Sequence, residues 1–185
     1  MKSLALNLVL YKIGWVSGVT TAAAGYPAVG MTVIGGLIVV HCWLATAWRG
    51  ELRLVVACGA LGFLVDSFQT GAGVLNFPSS QSAGWLAPAW IVMMWMQMGT
   101  TLRYCLRFLQ GRYRLAAVLG ALGGPLSFAA GERMGAVILH PNPWVAMGSL
   151  AVTWGLAMPL MTWIASQNPE LLHSATYGRK KLSPV

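Results

Sequence analysis

The chain has 185 residues, of which 57% are hydrophobic and 9% are charged, and its formal net charge is +8. Soluble domains carry about 25% charged residues and about 45–50% apolar ones, so this chain has too little polar surface to cover a water-soluble globule. The composition therefore excludes an ordinary cytosolic enzyme, a disordered chain and a secreted disulfide scaffold, and it predicts a membrane protein with one compact transmembrane domain.

Six apolar stretches are long enough to cross the roughly 30 Å hydrocarbon core, which takes about 20 residues of helix. In chain order we predict spans at Leu4–Gly25, Pro27–Trp48, Leu54–Gly73, Trp85–Arg103, Leu115–Gly131 and Pro143–Ala165. Such continuous apolar runs differ from the alternating strands of about ten residues that build membrane barrels. We therefore predict an all-α, polytopic bundle of six transmembrane helices over residues 1–166, followed by a basic cytoplasmic tail over residues 167–185.

The lysines and arginines fall unevenly on the two sides of this bundle. Ten lie on one side: Lys2, Arg49, Arg53, Arg103, Arg107, Arg112, Arg114, Arg179, Lys180 and Lys181. Arg133 lies on the other side, and Lys12 lies inside the first span. Cytoplasmic flanks hold the excess of positive residues, so we expect both termini in the cytoplasm. These positions explain the positive charge as a topology signal that favours the lipid bilayer as a partner, and we expect no nucleic-acid partner.

A short pattern recurs along the chain. Arg53-Leu54 is followed after four residues by Gly59-Ala60-Leu61-Gly62, and Arg114-Leu115 is followed after four residues by Gly120-Ala121-Leu122-Gly123. Both copies begin on the same side, which favours a parallel repeat of helical hairpins, with spans three–four and five–six as its units. Chance recurrence of small residues in apolar helices is the alternative. In either case the glycines predict faces where helices pack closely.

Ionisable residues inside hydrocarbon are penalised by about 2.5–3.5 kcal/mol, so each one needs an explanation. Asp66 lies near the middle of span three on the same face as Gly59 and Gly62, and we expect it to point into the protein rather than toward lipid. Four further polar side chains lie at compatible depths in spans one to four: Lys12, His41, Gln69 and Gln97.

Two interpretations of these residues stay open. In one, they line a ligand-binding cavity open to the cytoplasm, with Asp66 facing Lys12 as an ion pair or proton carrier. In the other, Asp66 and Lys12 form a satisfied ion pair that only locks helix packing, or Lys12 snorkels to the headgroups. His41 and Gln97 then form hydrogen bonds between helices. At the outer end, Glu132 and Arg133 are either an interface anchor or, together with His140, the gate of a periplasmic mouth.

No motif of a catalytic or cofactor site is present in the sequence. The chain has no paired-histidine zinc motif, no nucleophile elbow and no Walker loop, and its four acidic residues are too few to hold magnesium for prenyl or phosphoryl transfer. We expect no cofactor and no metal, and this pattern disfavours an enzyme. The three cysteines are interpreted as buried apolar fillers.

Several strings are typical of one family: Asn7-Leu8-Val9-Leu10, Gly14-Trp15, Leu52-Arg53-Leu54, Gly62-Phe63-Leu64-Val65-Asp66-Ser67, Ala87-Pro88-Ala89-Trp90, Gly120-Ala121-Leu122-Gly123-Gly124-Pro125-Leu126 and Gly135-Ala136-Val137. With them the chain resembles a family of small uncharacterised bacterial inner-membrane proteins over about residues 4–165. The resemblance implies a Gram-negative inner-membrane location and a shared helical fold, and it points to a lipid-linked role.

These observations predict a multi-pass inner-membrane protein that binds or moves a small amphipathic or lipid-like molecule, with Asp66 holding its polar end. The alternative is a non-catalytic accessory subunit that docks a membrane protein or a lipid-modifying enzyme as its partner. A continuous cavity that reaches Asp66 would favour the first function, and a filled interior with a flat apolar flank would favour the second.

Overall fold

The computed structural model describes residues 4–78, 81 and 84–167. Within them lie six α-helices: α1 (Leu4–Ala23), α2 (Pro27–Leu44), α3 (Trp48–Gly71), α4 (Ala89–Gly99), α5 (Tyr113–Arg133) and α6 (Pro143–Ser166). A 3-10 turn at Arg107–Leu109 and two short strands, β1 (Leu75–Asn76) and β2 (Ile138–Leu139), complete this part of the chain. The all-helical class agrees with the prediction. The basic tail predicted at 167–185 lies outside the described residues apart from Gln167.

Three of these helices, α2, α5 and α6, are long and apolar enough to cross a membrane. This finding supports a membrane protein. Two others, α1 and α3, have comparable lengths of 20 and 24 residues. The turn between α1 and α2 is the one the sequence predicts, because Gly25 has a φ of +82° that favours glycine and Pro27 occupies the first turn of α2.

The fourth helix is much shorter than the predicted span Trp85–Arg103. It has 11 residues and is about 16 Å long, which is roughly half of the hydrocarbon thickness. Pro88 precedes its first residue, and after Gly99 the chain continues through irregular turns up to Gln110. Hydropathy did not reveal this break, because the irregular residues 100–102 are uncharged and continue the apolar run directly.

Side chains supply hydrogen bonds to the non-helical backbone after α4. The amide of Asn7 on α1 donates to the carbonyl oxygen of Thr100 at 3.1 Å and accepts from the N–H of Cys105 at 3.3 Å. Gln110 donates to the carbonyl oxygen of Leu102 at 3.2 Å. Irregular backbone at membrane depth is tolerated where protein groups surround and satisfy it, so the short α4 is compatible with a membrane-embedded bundle.

The helices pack in two groups. In the first, α1 packs on α2 and α4, and α3 packs on α4; in the second, α5 and α6 form a hairpin that meets α3 through α6. At one end, which we call the strand end, β1 and β2 pair antiparallel with Leu75 opposite Leu139. The opposite end, where Arg49 and Arg53 lie in the first turns of α3, is called the basic end.

The start of α3 also differs from the prediction, because the helix begins at Trp48 rather than at Leu54. The extra residues bring Glu51 into the helix, where its side chain is buried. This extension gives the basic end a polar cluster that the predicted span boundaries left out.

Candidate functional site

Asp66 on α3 is turned wholly into the protein, as its position beside Gly59 and Gly62 predicts. Its side chain is fully buried, and its Oδ2 accepts a hydrogen bond of 2.7 Å from the indole N–H of Trp95 on α4. The other carboxylate oxygen, Oδ1, is buried and has no hydrogen-bond partner in the structure. Asp66 therefore fixes the position of Trp95.

Trp95 belongs to a stacked pair of indoles in the middle of the bundle. Its ring centroid lies 4.3 Å from that of Trp154 on α6, and the two ring planes differ by 20°. Gly62 lies against Trp95 and Gly124 lies against Trp154, so closely that a Cβ atom at either glycine would overlap the indole. The close packing that the sequence predicts is confirmed at Gly62 and Gly124. The prediction is wrong at Gly123, where an added Cβ would meet no atom within 4 Å.

An elongated crevice separates α1 from the hairpin of α5 and α6. It has a large lobe of about 380 Å³ and a small lobe of about 60 Å³. Five residues line both lobes: Tyr11, Trp15, Met98, Ser127 and Trp154. Where the lobes meet, the indole N–H of Trp15 on α1 donates a hydrogen bond of 3.0 Å to Oγ of Ser127 on α5. This bond is a polar link across a mostly apolar groove.

Exposed apolar residues of α5 form the rim of the large lobe. Leu119 and Leu126 line this lobe and are 40% and 70% exposed. Between them lies Gly123, where an added Cβ would meet no atom within 4 Å. The groove beside Gly123 is therefore open, and a side chain at this position would extend into it.

Lys12 is exposed, and among the residues that the structure describes it is the only charged one that lines either lobe. Its Nζ lies 5.9 Å from the ring centroid of Tyr11 and 5.8 Å from that of Trp15, within the range of a cation–π contact. Contrary to the pairing expected from the sequence, Lys12 and Asp66 are not brought together. Lys12 lies about 200° around α1 from Gly14, which is on the buried face of that helix.

The crevice wall also contains buried hydrogen-bond donors without acceptors. Trp90 lines the small lobe and Trp154 lines both lobes, and the Nε1 atom of each indole is buried with no partner in the structure. Buried indole N–H groups usually have an acceptor, so these two donors are unsatisfied groups behind the apolar surface of the wall.

Glu51 is the centre of a buried ionic cluster at the basic end. Its Oε2 lies 3.1 Å from Nε2 of His41 on α2, and its Oε1 lies 3.3 Å from Nη1 of Arg103. Arg103 also donates from Nε to the carbonyl oxygen of Ala165 at 2.9 Å, and the ring of Tyr104 packs edge-on against His41 with centroids 5.0 Å apart. The cluster therefore joins α2, α3, α6 and the turn after α4.

His41, which the sequence singled out, belongs to this cluster and not to the crevice. Its Nδ1 is buried without a partner. Glu51 is not among the residues predicted from the sequence, because it lies between Arg49 and Arg53, which mark the cytoplasmic flank. Helical spacing was the available signal, since Glu51 precedes the buried Val55 and Cys58 by four and seven residues.

Gln97 and Gln69 each join two helices. The amide nitrogen of Gln97 on α4 donates to the carbonyl oxygen of Leu10 on α1 at 3.2 Å. Gln69 on α3 donates to Oγ1 of Thr153 at 3.1 Å and accepts from Oγ of Ser149 at 2.7 Å, both on α6. Neither glutamine lines the crevice. The contacts of both residues are those of interhelical links.

Glu132, Arg133 and His140 all lie at the strand end. Oε1 of Glu132 accepts a hydrogen bond of 2.8 Å from the N–H of Leu139 in β2, and Nδ1 of His140 accepts one of 3.1 Å from the N–H of Asn142. Arg133 is exposed. No ion pair joins these three side chains in the part of the chain that the structure describes, and their contacts favour the role of an anchor.

Of the residues that the sequence singled out, Lys12 alone lines the crevice, and Asp66 is connected to it through Trp95. Over residues 4–78, 81 and 84–167, no three His, Cys, Asp or Glu side chains come together as a potential metal site. The arrangement suits the binding of an elongated apolar group that enters beside a single positive charge.

Residues 4–160 match the model of a protein family described as a protein of unknown function, DUF2878. The match includes α1 to α5 and most of α6, and therefore every residue that lines the crevice. No curated protein and no solved structure matches the chain.

Proposed function

Because the chain belongs to the DUF2878 family of proteins of unknown function, we propose its function from its own residues. The protein is a multi-pass membrane protein that binds or moves a small amphipathic, lipid-like molecule in the crevice between α1 and the hairpin of α5 and α6. The single observation that carries this proposal is an open apolar groove with one unpaired cation on its wall.

The proposed topology has six spans, with both termini on the cytoplasmic side of a bacterial inner membrane. Two observations support it. The apolar lengths of α2, α5 and α6 suit a bilayer, and the arginines at the starts of α3 and α5 lie at the basic end, as cytoplasmic flanks require. In this arrangement α4 and the first turns after it, through Leu102, lie inside the bundle.

Labelling of single cysteines in intact cells tests this topology. In a background without the native cysteines, Asn76→Cys at the strand end should react with a membrane-impermeant maleimide added outside. Arg112→Cys at the basic end should react only after the cells are opened. Both positions are exposed, so accessibility of the thiol depends on the side of the membrane. The reverse pattern, or equal labelling of both thiols in intact cells, would contradict the proposed orientation.

The polar end of the ligand is assigned to Lys12 rather than to Asp66. Asp66 is fully buried behind Trp95 and lines neither lobe, whereas Lys12 is exposed on the wall of the large lobe. In this proposal Asp66 is a positioning residue, because its hydrogen bond fixes an indole of the crevice wall.

The variant Gly123→Leu tests whether the crevice is the binding site. Its side chain should fill the large lobe without displacing any atom at the position of the Cβ. We expect it to lower cross-linking of a lysophospholipid with a photoreactive palmitoyl chain to crevice residues by at least about tenfold, because the chain would lose several methylenes of contact. The cross-linked residues are identified by mass spectrometry of the purified protein in nanodiscs.

Gly36→Leu on α2 is the matched control. Gly36 is also a helical glycine with no atom within 4 Å of an added Cβ, and it does not line the crevice. It should cross-link like the unsubstituted protein. If Gly123→Leu also left the cross-links unchanged, or if they were spread evenly over the lipid-facing helices, the crevice would not be the site and an accessory role would be favoured.

A further inference from the structure

We infer that the occupant of the crevice is an anionic amphiphile, with its acidic headgroup at Lys12 and its single apolar chain lying along α5 past Gly123. This inference rests on the proposed function. It adds the negative charge of the headgroup, the single apolar chain and the orientation of the ligand in the crevice.

The charge of the ligand follows from the electrostatics of the crevice. Lys12 is the only charged side chain on its wall within the described part of the chain. Of the acidic residues in the described segments, Glu51 is paired with His41 and Arg103, and Asp66 is fully buried outside both lobes. The third, Glu132, bonds to the strand end. A cation without a carboxylate partner in a low-dielectric groove favours an anion and disfavours a second cation.

The hydrogen-bonding groups of the crevice wall are also compatible with an anionic ligand. The indole N–H of Trp154 is buried without an acceptor, and it belongs to a ring that lines both lobes. The N–H of Trp15 already donates to Ser127. None of these groups carries a negative charge, so none of them opposes an acidic headgroup beside Lys12.

The dimensions of the crevice suit one apolar chain. Its lining residues on α5 run from Leu119 to Gly131, a distance of about 18 Å along the helix. This distance is slightly more than half of the roughly 30 Å hydrocarbon core. Lys12 lines the large lobe, and the small lobe lies toward Val137 at the strand end, so the headgroup lies toward the basic end and the chain points toward the strand end.

The test compares two lysophospholipids that carry the same photoreactive palmitoyl chain, lysophosphatidic acid and lysophosphatidylcholine. The protein is used in nanodiscs of phosphatidylcholine, and cross-links to crevice residues are counted at increasing probe concentration. We expect the anionic probe to half-saturate these cross-links at a concentration about fivefold lower than the zwitterionic probe, as a contact with one cation would produce. Lys12→Gln should abolish this preference, and Lys12→Arg should retain it.

Arg49→Gln is the matched control for general surface charge. Arg49 is also exposed and also lies over an indole, 5.3 Å from the ring centroid of Trp48, but it does not line the crevice. The preference for the anionic probe should survive this substitution. An equal loss of preference in Arg49→Gln and Lys12→Gln would overturn the assignment of the headgroup to Lys12.

The remaining outcomes separate this inference from the proposed function. If both probes cross-linked to the crevice equally well in the unsubstituted protein, the anionic ligand would be wrong while the proposed function stood. If neither probe cross-linked there, both would fail. Glycerol 3-phosphate has the headgroup of lysophosphatidic acid without its acyl chain. At a concentration where unlabelled lysophosphatidic acid displaces the anionic probe, glycerol 3-phosphate should not displace it. Competition as effective as that of unlabelled lysophosphatidic acid would indicate a soluble anion and overturn the amphiphile.

Discussion

Replacing Trp95 with alanine is expected to lower the free energy of unfolding by about 4 kcal/mol, the usual cost of removing a large buried aromatic ring. The substitution removes the stack on Trp154, leaves the face of Gly62 uncovered, and deprives Asp66 of its hydrogen-bond donor. Helices in a bilayer associate through close packing more than through hydrophobic burial, so a lost contact in the middle of the bundle is not replaced by lipid. Unfolding of the purified protein in mixed micelles with increasing sodium dodecyl sulfate measures the change.

Trp144→Ala is the matched control for Trp95→Ala. Trp144 lies in the first turn of α6 and is 86% exposed, so its removal should change the free energy of unfolding by about 0.5 kcal/mol or less. Asp66→Asn should also stay folded, because an asparagine oxygen can accept the same bond from Trp95. If the two tryptophan variants unfolded at the same detergent concentration, the stacked indoles would not be the structural centre of the bundle.

Replacing Glu51 with leucine is expected to destabilise the protein by about 3 kcal/mol, because the substitution leaves the buried Arg103 without its carboxylate. Removal of one partner from a buried ion pair typically costs about 3–5 kcal/mol. We expect a cost at the lower end of this range for two reasons. Arg103 keeps its hydrogen bond to the carbonyl oxygen of Ala165, and its long side chain can extend toward water at the basic end. The same unfolding titration gives the value.

Glu132, the glutamate at the strand end, provides the control for Glu51→Leu. Glu132 is exposed and accepts one backbone hydrogen bond, so Glu132→Leu should cost about 1 kcal/mol. The double variant Glu51→Leu/Arg103→Leu should be more stable than the sum of the two single changes predicts, because it leaves no unpaired buried charge. Equal effects of Glu51→Leu and Glu132→Leu would show that the cluster does not stabilise the basic end.

Both predictions concern contacts made by a single face of α3. The buried residues of this face recur at spacings of three and four: Glu51, Val55, Cys58, Gly62, Asp66 and Gln69. The face carries an acid that binds His41 and Arg103 at the basic end, an acid that binds Trp95 in the middle, and an amide that binds α6 beyond it. Helix α3 therefore connects the helices that form the crevice wall without lining the crevice itself.

The amino-acid sequence by itself determined the helical class and most of the helix positions. Hydropathy and helical spacing are local properties, and they place a residue along a helix axis and on one of its faces. This is why the burial of Asp66 and the close packing at Gly62 and Gly124 agree with the prediction. The family strings have the same local character, and the family match confirms them.

Only the tertiary structure decided which faces meet. Lys12 and Asp66 lie at compatible depths, but the rotation of α1 about its own axis places Gly14 against α4 and turns Lys12 to the crevice. The break after Gly99 depends on Asn7, which is far away in sequence and satisfies the freed backbone. Glu51 needed partners from two other segments before it could be buried. Each of these outcomes depends on contacts between distant segments, and the hydrophobic pattern within one segment carries no information about them.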